Sequence, residues 1–361
     1  MQEHILVAGA TGLVGFAAMK HFAERGYKVT AVSRRKPFET FGARHIPLDL
    51  TDRAACTDAL SSLGDVTRVV YAALYEKPGL VAGWREADQI ETNRQMLANF
   101  FDPLEKVATR LHHVSLLQGT KAYGAHVRPL AVPVRENRDE MKEQPNFYWD
   151  QEDYIRAKQR GRDWNWTIFR PQIIFGFSLG AAMNLIPAIG VYGALLKEEG
   201  KPLFYPGGPA SVLEAVGADL LASAIAWAGA RGTQENSIFN VTNGDVFVWK
   251  NVWPAIADAL GMKAGEARPM SLGTEMPKRA AEWDRLRRKH DLAAPDIGSF
   301  VGESFHYADF TMAYGAERDT PAAIVSTIAL RKAGFHEVID TEEMFRKYFA
   351  LFQEKRLLPP R

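Results

Sequence analysis

Three glycines, Gly9, Gly12 and Gly15, follow an apolar run and open an amphipathic one, a spacing suited to holding phosphate oxygens. In Gly9-Ala-Thr11-Gly12-Leu13-Val14-Gly15 the first glycine takes a tight turn and the second lets backbone approach a pyrophosphate. The third lets a helix lie close against a strand. The helix starting there offers free N–H groups and a partial positive charge to an anion. At the end of the next apolar run, Ser33-Arg34-Arg35-Lys36 stands where an acid would bind a ribose 2′-hydroxyl. Two guanidiniums there suit a 2′-phosphate through forked, charge-assisted hydrogen bonds, so the pattern favours NADP(H). Asp49, with Leu50 beside it, is placed to bind an adenine amino group or to cap a helix near Arg53; Asp52 is better placed for the cap. Ala72, Ala73 and Leu74 end another apolar run with residues that permit close approach by a cofactor.

These residues need a sheet whose strand ends meet in one crevice. Apolar, β-rich runs at Ile5–Ala8, Lys28–Val32, Ala43–Ile46, Arg68–Ala72, His112–Leu116 and Thr167–Phe169 alternate with helical patterns at Leu13–Glu24, Ala54–Leu63, Ile90–Ala108 and Gln151–Arg160. That alternation predicts an α/β fold, a doubly wound parallel Rossmann sheet with a smaller, mainly helical C-terminal substrate lobe. Residues 1–178 are expected to form the cofactor half, with 210–248 returning to it through a strand at Ser237–Asn243. Residues 179–209 and 249–361 are assigned to the substrate lobe, with a helix at Trp249–Leu260 and a charged, helix-prone run from Met276 to Asp291.

Composition narrows the function classes. With 44 basic and 43 acidic residues, a net charge of +1 gives no bulk field to attract nucleic acid or an anionic membrane. The apolar run Leu179–Leu196 is interrupted by Gly180, Asn184, Pro187 and Gly190, so it reads as a buried helix pair or pocket wall and not a membrane span. One cysteine, Cys56, permits no internal disulfide, and no Cys/His cluster suggests a metal. No signal-peptide pattern opens the chain, and a reducing cytoplasm is the expected compartment. The Asn-x-Thr triplets at Asn165 and Asn240 are read as chance.

Several separated segments resemble the progesterone 5β-reductase/iridoid synthase group of extended short-chain dehydrogenases. They are Gln118-Gly-Thr-Lys-Ala-Tyr123, Pro145-Asn-Phe-Tyr-Trp-Asp-Gln-Glu-Asp153, Arg170-Pro, Ile174-Phe-Gly-Phe-Ser178, Met183-Asn184, Phe239-Asn-Val-Thr-Asn243 and Trp249-Lys-Asn-Val-Trp253. The likeness runs from the first strand to Lys332-Ala-Gly-Phe335. It implies an NADPH-dependent reductase that delivers hydride to the β carbon of an enone or enal. It also implies Lys121 as a catalytic and cofactor-side residue, with further cofactor contacts at Pro171, Ile173 and Ser178, a small hydrophobic carbonyl substrate and a homodimer. The family pattern carries its catalytic Tyr at the position that here is Trp149, an N–H donor that is no acid near neutral pH. Lys121 and Tyr148, with Trp149 as a third donor, are therefore the expected holders of an enolate oxygen.

Tyr154 and Lys158 offer a rival pair, because their YxxxK spacing places both on one helix face as ordinary carbonyl reduction requires. Two other functions stay open on this reading: an NADP(H)-dependent carbonyl reductase or alcohol dehydrogenase, and a catalytically silent NADP(H)-binding regulator. Phe175, Met183, Tyr192 and Phe310 are expected to line the substrate pocket.

Overall fold

The computed structural model describes residues 2–77, 86–231 and 235–361. The chain runs β1 (His4–Ala8), α1 (Leu13–Glu24), β2 (Lys28–Ser33), β3 (Arg44–Pro47), α2 (Arg53–Leu60), β4 (Arg68–Tyr71), α3 (Ala87–Val107), β5 (His113–Leu117), α4 (Phe147–Gln159), β6 (Asn165–Pro171) and β7 (Ile173–Phe175). It continues through α5 (Leu185–Glu198), β8 (Leu203–Tyr205), β9 (Ala215–Gly217), α6 (Ala218–Ala230), β10 (Ser237–Val241), α7 (Trp249–Ala259), β11 (Ala264–Ala267) and α8 (Leu272–Glu275). The helices α9 (Ala280–Lys289), α10 (Ile297–Val301), α11 (Ser304–Thr311), α12 (Ile328–Lys332) and α13 (Thr341–Glu354) complete it.

Seven of these strands form a sheet in the order β10-β6-β5-β4-β1-β2-β3, and every pairing in it is parallel. The period-2 alternation of a strand sends neighbouring side chains to opposite faces. Ile5 and Val7 of β1 enter the core shared with α1 and α6, whereas Leu6 and Ala8 enter the one shared with α2 and α3. Both faces are therefore covered, which is why β1 is fully buried. After β1 the chain moves out to β2 and β3, then returns to β4 on the other side of β1. That reversal opens a crevice beyond the carboxyl ends of β1 and β4.

Of the later elements, α11 and the stretches 179–183 and 320–323 line this crevice. Helix α5 is buried from Leu185 through Leu196, a single helix started by Asn184 and not a pair. Pro187 is tolerated in its first turn, where no intrahelical N–H partner is lost. The charged run after Met276 is interrupted by a tight turn at Pro277–Arg279 before α9 begins.

Two further boundaries differ from expectation for local reasons. Helix α4 starts at Phe147, a turn before Gln151, because the Asn146 side chain accepts the Tyr148 N–H at 3.1 Å and caps it. Asn240, in the second Asn-x-Thr triplet, is wholly buried and donates to the carbonyls of Val134 and Ser326. Among the described residues no helix is long and apolar enough to cross a membrane, and no group of His, Cys, Asp and Glu is placed to hold a metal.

Candidate active site

A cleft of about 980 Å³ opens at the carboxyl ends of β1, β2, β4, β5 and β6 and runs on beneath α11. Its glycine-turn end is shaped by steric exclusion. Gly9 has φ +83°, and a Cβ there would lie 2.5 Å from the Ala72 carbonyl oxygen. A Cβ on Gly15 would lie 2.2 Å from the Gly9 carbonyl oxygen, so Gly15 lets α1 close on the turn while itself staying out of the cleft. Thr11, Gly12, Leu13 and Val14 line the opening. Gly9 N–H donates to the Val32 carbonyl at 2.9 Å, which ties the turn to the end of β2.

Arg34 and Arg35 are exposed on the wall of this same end. The Ser33 hydroxyl donates to the Arg35 carbonyl at 2.7 Å and lies 3.0 Å from His45 Nε2, which fixes the bend that carries both guanidiniums. Asp49 accepts the Thr51 N–H and hydroxyl, and these bonds, with Arg34 nearby, hold its carboxyl below the usual range. Asp52, not Asp49, caps α2 by accepting the Ala55 N–H at 2.9 Å. Leu50, Ala72, Leu74, Pro171 and Ile173 also line the cleft. Ser178 does not; it is buried against Asn184 Nδ2 at 3.0 Å, where it supports the start of α5. A turn in which Gly9 and Gly15 admit no Cβ, with the exposed Arg34 and Arg35 lining the same cleft, fits a dinucleotide phosphate.

Further along the cleft lie Lys121 and Tyr148. Lys121 sits in a tight turn (Thr120–Tyr123) after β5, and its Nζ stands 5.6 Å from the Tyr148 ring centre and 5.7 Å from that of Phe147. Burial pushes the Lys121 amine down to about 8, against the pull of Glu76. Burial also raises the Tyr148 phenol, so it stays protonated through the neutral range. The Tyr148 hydroxyl passes so close to Gly119 that a Cβ there would lie 3.2 Å from it. The glycine before Thr120-Lys121 therefore makes room for the phenol.

Other expected site residues are engaged elsewhere. Trp149 turns its indole N–H onto the Gln144 carbonyl at 3.2 Å, and the Arg170 guanidinium lies 5.7 Å from its ring centre. It lies outside the cleft lining, because a residue one step along α4 from Tyr148 is rotated by about 100°. The expectation that Trp149 donates into the cleft is thus corrected: the cleft keeps a phenol, supplied by Tyr148. Tyr154 donates to Asp102 at 2.6 Å, and Lys158 pairs with Asp102 at 2.8 Å and Glu105 at 3.0 Å. Both serve the α3–α4 packing and neither lines the cleft. Met183 and Phe310 do line it, with Phe310 about half exposed at the mouth. Phe175 is wholly buried against Trp249 and Phe345, and Tyr192 donates to the Phe204 carbonyl, so both are core residues and not pocket lining.

Three features escaped the sequence reading. Glu76, just past β4, has a carboxylate oxygen 3.8 Å from Lys121 Nζ. Tyr307 of α11 joins the cleft wall near both Tyr148 and Glu76. Behind Tyr148, the fully buried Arg170 donates to Gln118 Oε1 at 2.7 Å and pairs with Glu140 at 2.8 Å and Glu152 at 3.4 Å. Gln118 Nε2 in turn donates to the Tyr148 carbonyl at 3.2 Å, so the network fixes the backbone of the cleft phenol. The Arg170-Pro segment was a visible signal; the partners of Arg170 come from distant stretches and left none.

The profile of the PRISE-like Rossmann-fold domain matches residues 54–359. The chain is 31% identical over 326 residues to an (S)-8-oxocitronellyl enol synthase of Antirrhinum majus, covering 83% of this chain and 81% of that protein. It is 31% identical over 311 residues to a 3-oxo-Δ(4,5)-steroid 5β-reductase of Arabidopsis thaliana, covering 80% and 77%. Among solved structures, the UDP-glucose 4-epimerase of Bifidobacterium longum in complex with NAD+ and UDP superposes with a TM-score of 0.68 at 14% identity, over 98% of each chain. That likeness concerns the fold alone. On the extent of the profile match and of the identity to these relatives, the chain belongs to the PRISE-like Rossmann-fold family.

Proposed function

We propose that this protein is an NADPH-dependent oxidoreductase that reduces the activated C=C bond of an enone or enal. The observation that carries the reading is the pairing of Lys121, kept near a charged state, with a Tyr148 phenol kept neutral, in one largely apolar cleft. When bound, the nicotinamide supplies a hydride to the β carbon of the substrate. The residues then face an enolate oxygen, whose charge is delocalised over carbon.

Such an oxygen needs donors that hold it, and a neutral phenol with a buried ammonium does that. A simple ketone would instead yield a localised alkoxide that demands a proton at once, which a phenol with a raised pKa delivers poorly. The Tyr154–Lys158 pair that would serve carbonyl reduction is held by α3, which weighs against that alternative. The Arg34–Arg35 edge supports NADPH over NADH, since two exposed arginines on the cleft wall suit a 2′-phosphate. The names of the relatives, an enol synthase and a steroid 5β-reductase, agree with C=C reduction.

The test is product identification after incubation with NADPH and matched enones, enals and saturated ketones. Saturated carbonyl products support the reading. Alcohol products, or NADPH binding without turnover, contradict it.

A further inference from the structure

Glu76 is held in place more firmly than a loop carboxylate needs. It follows β4 in the segment Tyr75–Lys77, and two buried side chains one turn apart on α3 clamp that segment. Asn93 accepts the Tyr75 N–H at 2.9 Å and donates back to the Tyr75 carbonyl at 2.9 Å. Gln89 accepts the Lys77 N–H at 3.1 Å and donates to Glu76 Oε2 at 3.0 Å. Gln151 of α4, the helix that carries Tyr148, donates to the Asn93 carbonyl at 3.0 Å. Loop, α3 and α4 are thus locked together, and Glu76 Oε1 faces Lys121 Nζ at 3.8 Å with both side chains nearly buried, at 9% and 13% exposure. At that separation the two atoms attract as charges without a hydrogen bond between them.

We infer that Glu76 is a positioning residue for Lys121, a fixed buried carboxylate that keeps the ammonium charged and directed at the oxyanion position in the cleft. An ammonium removed from water tends to lose its proton, and an opposite charge at this range offsets that tendency. Described groups around the pair include Gln89 of α3, Phe147 and Tyr148 of α4 and Tyr307 of α11; Arg170 lies behind Tyr148. Among the described groups, the Glu76 carboxylate raises the Lys121 amine against the effect of burial. Glu76 also lines the cleft, and its charge helps to keep the Tyr148 and Tyr307 phenols protonated.

The inference rests on the proposed oxyanion role of Lys121, so its test includes a readout independent of turnover. Glu76→Gln keeps the shape and an oxygen that can still accept from Gln89 while removing the charge; Glu76→Asp keeps the charge. Acylation of Lys121 by a small amine reagent, followed across pH by peptide mass spectrometry without substrate, reports the amine titration directly. The wild-type midpoint is expected near 8, and Glu76→Gln should lower it by about one pH unit, with Glu76→Asp restoring most of the shift. In kcat/KM for an enone, Glu76→Gln should lose about fivefold at pH 8 and little at pH 6, because the ammonium is retained at the lower pH. An unchanged labelling midpoint, or a loss of activity equal at both pH values, overturns the inference. If the wild type turns over no enone, the functional proposal falls while the labelling midpoint still decides the pair.

Discussion

Lys121 Nζ lies 5.6 Å from the centre of the Tyr148 ring, whereas the next side chain along the same helix, Trp149, gives its N–H to the Gln144 carbonyl. The relationship sorts the aromatic residues of this segment by what they touch. Tyr148→Phe should lower kcat for an enone by about 10²-fold, the usual cost of one oxyanion donor, with little change in NADPH affinity. Trp149→Phe and Tyr154→Phe should leave kcat nearly intact and cost about 1 kcal/mol of stability each through a lost hydrogen bond. Steady-state kinetics beside urea unfolding on the three variants separates the roles. A kcat loss for Trp149→Phe as large as that for Tyr148→Phe would refute the assignment.

Cofactor choice rests on a different wall of the cleft. Arg34→Ala with Arg35→Ala removes both exposed guanidiniums and leaves the glycine turn untouched. The KM for NADPH should rise on the order of 10²-fold, as expected for lost charge-assisted hydrogen bonds, while that for NADH should hardly move. Parallel titrations with the two cofactors check this, and equal changes in both would sink the NADPH assignment.

Glu214 gives the protein a pH-dependent stability. It is buried, accepts the Val325 N–H at 2.7 Å, and so anchors the stretch whose residues Thr320 to Ala323 line the cleft. Burial raises its carboxyl from the ordinary 4.5 to about 7. The folded chain therefore holds the proton longer than the unfolded one, so this contribution is full below pH 4.5 and is lost as pH rises through 7. Glu214→Gln should remove that dependence, with an effect of up to about 3 kcal/mol between the two limits. Urea unfolding at pH 4.5 and pH 8 measures it, and an identical pH response in variant and wild type would contradict the assignment.

The glycine turn, the parallel sheet and the basic edge at Arg34 and Arg35 were legible in the sequence because each rests on local pattern. Gly9 and Gly15 declare themselves by spacing, and β1 declares itself as an apolar run buried on both faces. The reactive end was legible only through family likeness, and there the orientation failed. Phe147-Tyr148-Trp149 carries no helical period of its own, so neither the start of α4 at Phe147 nor the rotation that sends Tyr148 and Trp149 to different sides is legible there. Glu76 was invisible for another reason. Its meaning depends on Gln89 and Asn93, which meet it only after α3 folds back along β4. Phe175 and Tyr192 show the converse error, since an aromatic residue reads alike in a core and in a pocket.

The central claim is that hydride goes to carbon and the cleft holds the resulting enolate oxygen. Reduction of 2-cyclohexenone with NADPH deuterated at the transferring position of nicotinamide C4, followed by mass spectrometry and NMR of the product, tests it most directly. The account predicts cyclohexanone with deuterium at carbon 3, formed by wild type and about 10²-fold more slowly by Tyr148→Phe. Deuterium on the carbinol carbon of an allylic alcohol would contradict it.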